Sequence, residues 1–457
     1  MQEVGNRMYK SDLWMKQARA IDKVLSGAPC FDKELRVPLE EFKRRSNAVY
    51  QGLKQSGFEL GIVYSDENYR GDVSYLGGNT NITIEPVAGV IGKNGFHILA
   101  GLEGGFVSEQ LSPRSGSKVH KVELLQLADE VYPVDAERFE DVIEECAGKK
   151  PDRIALLTPK AVLPVSIYNT LKEYFGGADK IVDMQDAYHK VRYEKSDIEM
   201  KLTEESSIIS DYMLEGMLAI LKPGMYETQV AQWGYNIAYE LGVEEMGFDI
   251  MVTSGEANRT LIGKALNRVI QYGDVVHIGV APKRDGLTSC ERVSVVAVEH
   301  PTKVTKQQQF WLDFVGEAFR VGLAKYKEVA QHRLPAKLQE QALIDYMKFR
   351  EEEVARIVGH YVDMEHQKPY SGTHGGGYTE CQEFYGAITL DSNEPLGNQI
   401  ITMLDVAVKG MGSYWNQIVI PGVDFYIVEK TIGKFGDDAR VLNRLPIDVQ
   451  EYVGIAY

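Results

Sequence analysis

The chain has no run approaching the roughly 18–20 consecutive apolar residues that a membrane-spanning helix needs, so no membrane partner is expected. Its opening residues, MQEVGNRMYKSDLWMKQ, lack the apolar stretch of a secretory signal, and cytoplasm is the default compartment. Cysteine is scarce: Cys30, Cys146, Cys290 and Cys381 stand singly with no CxxC spacing, which gives no disulfide framework and fits a reducing compartment. An excess of positive charge is also missing. The 50 Lys and Arg against 66 Asp and Glu leave a net charge of -16, and no basic cluster is large enough for a nucleic-acid face. Low-complexity tracts and short repeats are absent as well. What is present is 457 residues with 44% hydrophobic and 25% charged content, ample for more than one folded core.

Residues 1–36 show no sustained periodicity and read as an N-terminal extension, a candidate arm against a partner. From Leu39 the spacing Leu39, Phe42, Ser46, Val49, Leu53 predicts a helix ended by Gly57. Leu60–Tyr64 reads as a strand, and Val87–Ile91 with Phe96–Ala100 around Asn94-Gly95 as a hairpin. With a strand at Ile154–Leu157 and a helix at Val162–Phe175, residues 37–190 make an α/β domain. The polar segment Tyr188–Ser196 marks a boundary, and Ser196-Asp197-Ile198-Glu199 is a capping box opening the next helix. A second amphipathic helix carries Val230, Trp233, Ile237 and Leu241. Strands are expected at Val275–Val280, Val293–Val298, 400–408, 415–420 and 423–432, with two long helical stretches across 303–359.

Across residues 191–457 the series VRYEKSDIEM, LKPGMYE, SGEAN, NRVIQYGDVVHIG, GTHGGG, ITMLDVAV and GVDFYIVEKTI resembles the pita-bread family of creatinase, prolidase and aminopeptidase P. The resemblance implies an α/β fold: a small creatinase-like domain over 37–190 followed by a pita-bread catalytic domain over 191–457. The family's metallopeptidases hold two divalent metals on an Asp, a second Asp eleven residues on, a His and two Glu. Laid on this chain, that pattern falls on Gly279, Cys290, His374, Asp405 and Glu429. Glycine offers no side-chain ligand, Cys290 replaces an Asp and Asp405 replaces a Glu, so the metal site is degenerate.

Strand alternation puts His277 on the same face as position 279, where it could stand in for the missing Asp. His277, Cys290, His374, Asp405 and Glu429 would then be a mixed N/S/O set suited to one Zn²⁺ or Fe²⁺ rather than Mn²⁺, with metal-free chemistry the other reading. A lone strand histidine is also commonly a hydrogen-bonded core residue, and a lone cysteine a small buried apolar one. Further departures from the family pattern are Cys381 where a substrate-contacting His is usual, Ile262 in place of another such His, and Ile427 in place of an Arg. Ordinary Xaa-Pro peptidase activity is therefore not expected.

The reading implied is a hydrolase of a C–N or amide bond in a small amino-acid-derived or quaternary-amine-like substrate, with His374, Glu380 and Glu429 catalytic. Arg70 and Cys381 are candidate substrate contacts, Arg70 from the neighbouring subunit of a homodimer. Two alternatives stand beside it. Dimethylsulfoniopropionate lyase resembles this chain in an extra ligand at the place of His277 and a carboxylate at the place of Glu380, which points to proton abstraction without water. A scaffold that has lost catalysis and only binds a ligand is the other.

Overall fold

The computed structural model describes residues 11–127, 136–255, 258, 262–364, 371–379, 383–408 and 425–457. Contacts divide the chain into two compact units. The larger comprises Met1–Lys33, Met200–Gly376 and Gly386–Tyr457, and the smaller comprises Glu34–Glu199 with Gly377–Tyr385. No helix among the described residues is long and apolar enough to cross a membrane.

The supposedly aperiodic N-terminus contains a helix, α1 (Asp12–Ser26), capped by Ser11, whose side chain accepts from the Trp14 backbone N–H at 3.1 Å. Its inner face is Gln17, Ile21 and Val24, and the glutamine hides the helical period from a purely apolar reading. Ile21 joins the larger unit's core beside Met213, Met217 and Ile237. Buried Gln17 is satisfied by donating to the Tyr457 hydroxyl at 2.8 Å and accepting from Trp233 Nε1 at 3.2 Å. This segment packs on its own chain.

The smaller unit follows with α2 (Leu39–Gln55), β1 (Leu60–Ser65), α3 (Gly71–Gly77), β2 (Val87–Gly92), β3 (Gly95–Ala100), α4 (Leu102–Leu111), β4 (Lys118–Lys121), α5 (Phe139–Ala147), β5 (Ile154–Leu156), α6 (Val165–Phe175), β6 (Ile181–Asp183) and α7 (Gln185–Tyr193). Its strands form one sheet in the order β4-β3-β2-β1-β5-β6. The β1–β2–β3 meander is antiparallel and the outer pairings are parallel. The expected hairpin is present, with Gly95 at φ 101° supplying its turn. Leu60, Ile62, Leu99, Val142, Ile154 and Leu156 meet in the core.

Residues 188–193, read as a polar boundary, belong instead to α7, which buries Tyr188, His189 and Arg192. Those polar residues face inward because they are paired. Arg192 bridges Asp72 and Glu383, the latter at 2.7 Å. Glu383 also accepts from the backbone N–H groups of Tyr378, at 2.6 Å, and Thr379, at 3.2 Å. Gly377 lies so close to the Glu383 carboxylate that a Cβ would collide with it. Segment 377–385 is thus held to the smaller unit by charge. Arg45, fully buried, reaches Glu41 at 2.9 Å and Glu199 at 3.1 Å, while Ser196 N–H donates to Glu199 at 2.8 Å, the reach-back half of the expected capping box.

The remaining elements are α8 (Asp197–Ile220), α9 (Glu227–Glu240), β7 (Glu245–Met246), β8 (Met251–Ser254), β9 (Val275–Val280), β10 (Pro282–Arg284), β11 (Leu287–Thr288), β12 (Glu291–Val296), α10 (Lys306–His332), α11 (Lys337–Phe349), α12 (Glu351–Val358), β13 (Ser371–Gly375), β14 (Glu383–Ile388), β15 (Gln399–Val408), β16 (Tyr426–Phe435) and β17 (Asp438–Val441). The large sheet runs β14-β13-β15-β16-β12-β9-β8, with β17 beside β16, and β11-β10-β7 form a small second sheet. The strand expected at 415–420 lies outside the described residues. One face of the large sheet is apolar: Val276, Ile278, Val280, Val293 and Val295 pack with Met213, Met217, Val230 and Ile237. Alternation sends the polar residues of the same strands to the other face.

Burial pushes the Glu383 carboxyl up, but Arg192 and Lys195 outweigh it and hold the group near about 2 against its ordinary 4.5. A lowered folded-state value means stability that is full above about 4.5 and is lost as pH falls toward about 2. Melting temperature measured against pH should fall across that window, and Glu383→Gln should flatten part of the slope. Arg192→Met leaves two buried carboxylates without their cation and should cost about 3–5 kcal/mol in urea unfolding.

Candidate functional site

Sheet register gathers the expected ligand positions. On one rung, Met251 pairs with Gly279, Gly279 with Arg292, Arg292 with Glu429, Glu429 with Asp405 and Asp405 with Gly372. Period-two alternation adds His277 and His374 to the same face, two residues along from Gly279 and Gly372. His277, Cys290, Asp405 and Glu429 are fully buried and His374 is 3% exposed. Of the expected site residues, these are the ones the fold brings together.

At the centre of the rung stands a residue that the motif comparison passed over. Arg292 Nε is 2.9 Å from Glu429 Oε2, and its Nη1 is 3.6 Å from Asp405 Oδ2. The absence of a side chain at position 279 is linked to this arginine. A Cβ on Gly279 would lie 3.2 Å from Arg292 Cγ, a tight approach, and 3.4 Å from both His277 Nε2 and Met251 Cβ, at ordinary contact. The aliphatic stem of Arg292 is what an added side chain at 279 would meet first. Arg292 was within reach of the sequence: it lies two residues after Cys290, and alternation puts both on the ligand face.

The other side chains adjust to this charge. His374 Nε2 is 3.4 Å from Glu429 Oε1, and its Nδ1 lies 3.2 Å from the Gly375 carbonyl oxygen. Burial raises the Glu429 carboxyl, yet Arg292, His374 and the Cys290 thiol together hold it near about 2, so it is ionised at neutral pH. His277 is driven the other way. Burial and then Arg292 depress it to about 3, outweighing Glu429, and it is neutral. Its Nδ1 lies 3.5 Å from Thr253 Oγ1, its Nε2 has no hydrogen-bond partner among the described residues, and its ring meets Phe425 edge-on at 5.2 Å. Cys290 forms no disulfide among the described residues, and its backbone N–H donates to Thr431 Oγ1 at 3.0 Å.

The donor set does not fit the family's metal cage. Two of its carboxylates already neutralise a guanidinium, position 279 supplies nothing, and among the described residues no three of the expected donors bring ligand atoms within 4.8 Å of one another. Glu380 and Cys381 lie outside the described residues. Ile262 is 68% exposed. Arg70 sits at the N-terminus of α3 in the smaller unit and is half-buried.

Residues 201–384 match the model of metallopeptidase family M24. Two Bacillus subtilis (strain 168) proteins are similar. "Putative dipeptidase YkvY" is 27% identical over 255 residues, and "Uncharacterized peptidase YqhT" is 23% identical over 229. These alignments cover 54% and 50% of this chain and only 63% and 62% of those proteins, less than two thirds of their length. The X-Pro aminopeptidase from Thermotoga maritima has the same fold, with TM-score 0.67, 18% identity, and coverage of 88% of this chain and 98% of that one. The resemblance to the creatinase, prolidase and aminopeptidase P family is borne out by this match and by the shared fold. Its class is α/β with the pita-bread fold.

Arg292→Met should leave Glu429 and Asp405 buried without their counter-charge and lower unfolding stability by about 3–5 kcal/mol. Urea unfolding monitored by tryptophan fluorescence measures this. An unchanged midpoint would refute the ion-pair reading of the rung.

Proposed function

We propose that the chain is a peptidase-like hydrolase that cleaves a C–N or amide bond in a small amino-acid-derived substrate, using a guanidinium where relatives of this family use metal. The observation that carries the reading is the placement of Arg292 between Glu429 and Asp405. Support for a hydrolase comes from the M24 match and from relatives named as a dipeptidase and a peptidase. The quaternary-amine-like substrate class, the lyase and the non-catalytic binder gain no separate observation.

In this mechanism Arg292 stabilises the negative charge that develops on the carbonyl oxygen as water adds. His374 accepts the water's proton at Nε2, with its other nitrogen fixed by the Gly375 carbonyl. Ionised Glu429 steadies the resulting imidazolium and is itself too acidic to act as the base. The new C–O bond forms, the C–N bond breaks, and the proton passes from His374 to the departing nitrogen. No step is assigned to Asp405 beyond holding Arg292, and none to His277 or Cys290.

The expected homodimer belongs to the same proposal, with Arg70 as the anchor that one subunit lends to the other's substrate. A panel of dipeptides and N-acyl amino acids, followed by mass spectrometry in ¹⁸O-labelled water, tests the chemistry. His374→Ala and Arg292→Lys should each reduce kcat at least 10²-fold, and product should carry one ¹⁸O. Full activity in both variants would refute the assignment, and product without label would indicate elimination instead. Arg70→Ala should raise KM with little change in kcat, and a monomer by light scattering would refute the shared site.

A further inference from the structure

A second group of metal-binding side chains lies in the smaller unit, within one sheet and its covering helix. His97 on β3 and His120 on the parallel neighbour β4 are both buried, at 4% and 0% exposure. His97 Nδ1 faces His120 Nε2 at 2.9 Å, with ring planes only 7° apart. A carboxylate oxygen of Glu145 on α5 completes a trio of ligand atoms within 4.8 Å of one another. Glu145 is partly exposed and also pairs with Lys118 at 2.6 Å.

The outer nitrogens give this cluster its meaning. His120 Nδ1–H donates to Glu137 Oε2 at 2.8 Å, which commits that ring's proton and leaves Nε2 as a lone pair. His97 has two options. Its proton can sit on Nδ1 and join the two rings, or on Nε2, which faces the Asn94 carbonyl oxygen at 3.4 Å. The second option turns the two lone pairs toward each other, a repulsion that a cation bound by both would relieve. Metal-ligating histidines are normally oriented in this way, with the remote N–H given to a carboxylate or a backbone carbonyl, and here both rings have such a partner. Two nitrogens bound at about 2.0–2.1 Å to one metal are roughly 2.9–3.4 Å apart. Both rings would swing off their present N···N line to aim at one metal.

We propose that His97, His120 and Glu145 form a binding site for one divalent transition metal of the zinc class, with Glu137 and Asn94 orienting the two imidazoles. Binding moves the His97 proton from Nδ1 to Nε2 and releases none to solvent. Two imidazoles and one carboxylate are a donor set that zinc accepts, and three protein ligands leave a position for water. The metal would cross-link β3, β4 and α5 of the smaller unit. The site is separate from the Arg292 rung and does not rest on the proposed hydrolysis.

The full-length protein, stripped with a chelator and titrated with Zn²⁺ by calorimetry, should take up one equivalent, and its melting temperature should rise. Elemental analysis after desalting should find that equivalent retained in His374→Ala and Cys290→Ser but lost in His120→Gln. Glu137→Gln should weaken binding about 10–100-fold, as loss of an orienting partner does. Glu145→Gln, at a partly exposed position that leaves the buried pair intact, should also weaken it and decides the matter if His120→Gln fails to fold. No zinc uptake by the wild-type protein, or uptake unchanged in the Glu145 and Glu137 variants, would overturn the proposal.

Discussion

The structure of the candidate site depends on a single buried cation. Arg292 stands on one sheet rung with Glu429 on its neighbouring strand and Asp405 one strand further, and the guanidinium shifts both Glu429 and His277. Glu429 stays ionised because the arginine and the His374 imidazole overcome its burial, and His277 stays neutral because burial and the same arginine act together. A bare pair of carboxylates in this apolar sheet would be costly to bury, and a bare guanidinium equally so. The three persist together because each offsets the desolvation of the others. An arginine differs from a metal in one chemical respect that matters here. It carries positive charge and hydrogen-bond donors but cannot bind and acidify water as a Lewis acid does. The proposed chemistry on Arg292 therefore takes its base from the side chains, and gives that part to His374, which lies beside the Glu429 carboxylate.

The smaller unit is built on the same principle with different residues. Arg192 ties Asp72 and Glu383 together, and Arg45 ties Glu41 and Glu199. These buried arginines bring the sequence-distant segment Gly377–Tyr385 into the smaller unit directly after the larger unit's Gly376. The candidate His374 lies three residues before that change of unit. Buried charge pairs hold Glu383 in this unit, and the same pairing explains why polar residues such as those of α7 look like linker when read by hydropathy alone.

Much of the fold was legible in the sequence. The Leu39 helix, the Asn94-Gly95 hairpin and the strands carrying His277 and Glu429 follow from periodicity and turn chemistry, because each is a local property of a few residues. The motif series pointed to the pita-bread fold and showed that Gly279 and Cys290 break its ligand pattern. The helix at Asp12–Ser26 escaped because Gln17 interrupts its apolar stripe, and its burial depends on Tyr457 and Trp233, far away in the chain.

The sequence by itself determined which residue types stand at the family's ligand positions, and therefore that the usual cage lacks one ligand and has two altered. Only the tertiary structure decided what replaces the missing charge. Strand pairing, which is non-local, sets Arg292 opposite Gly279 on one side and Glu429 on the other, and no spacing along the chain contains that register. The same holds for His97 and His120, 23 residues apart, which face each other at 2.9 Å only because β3 and β4 lie side by side.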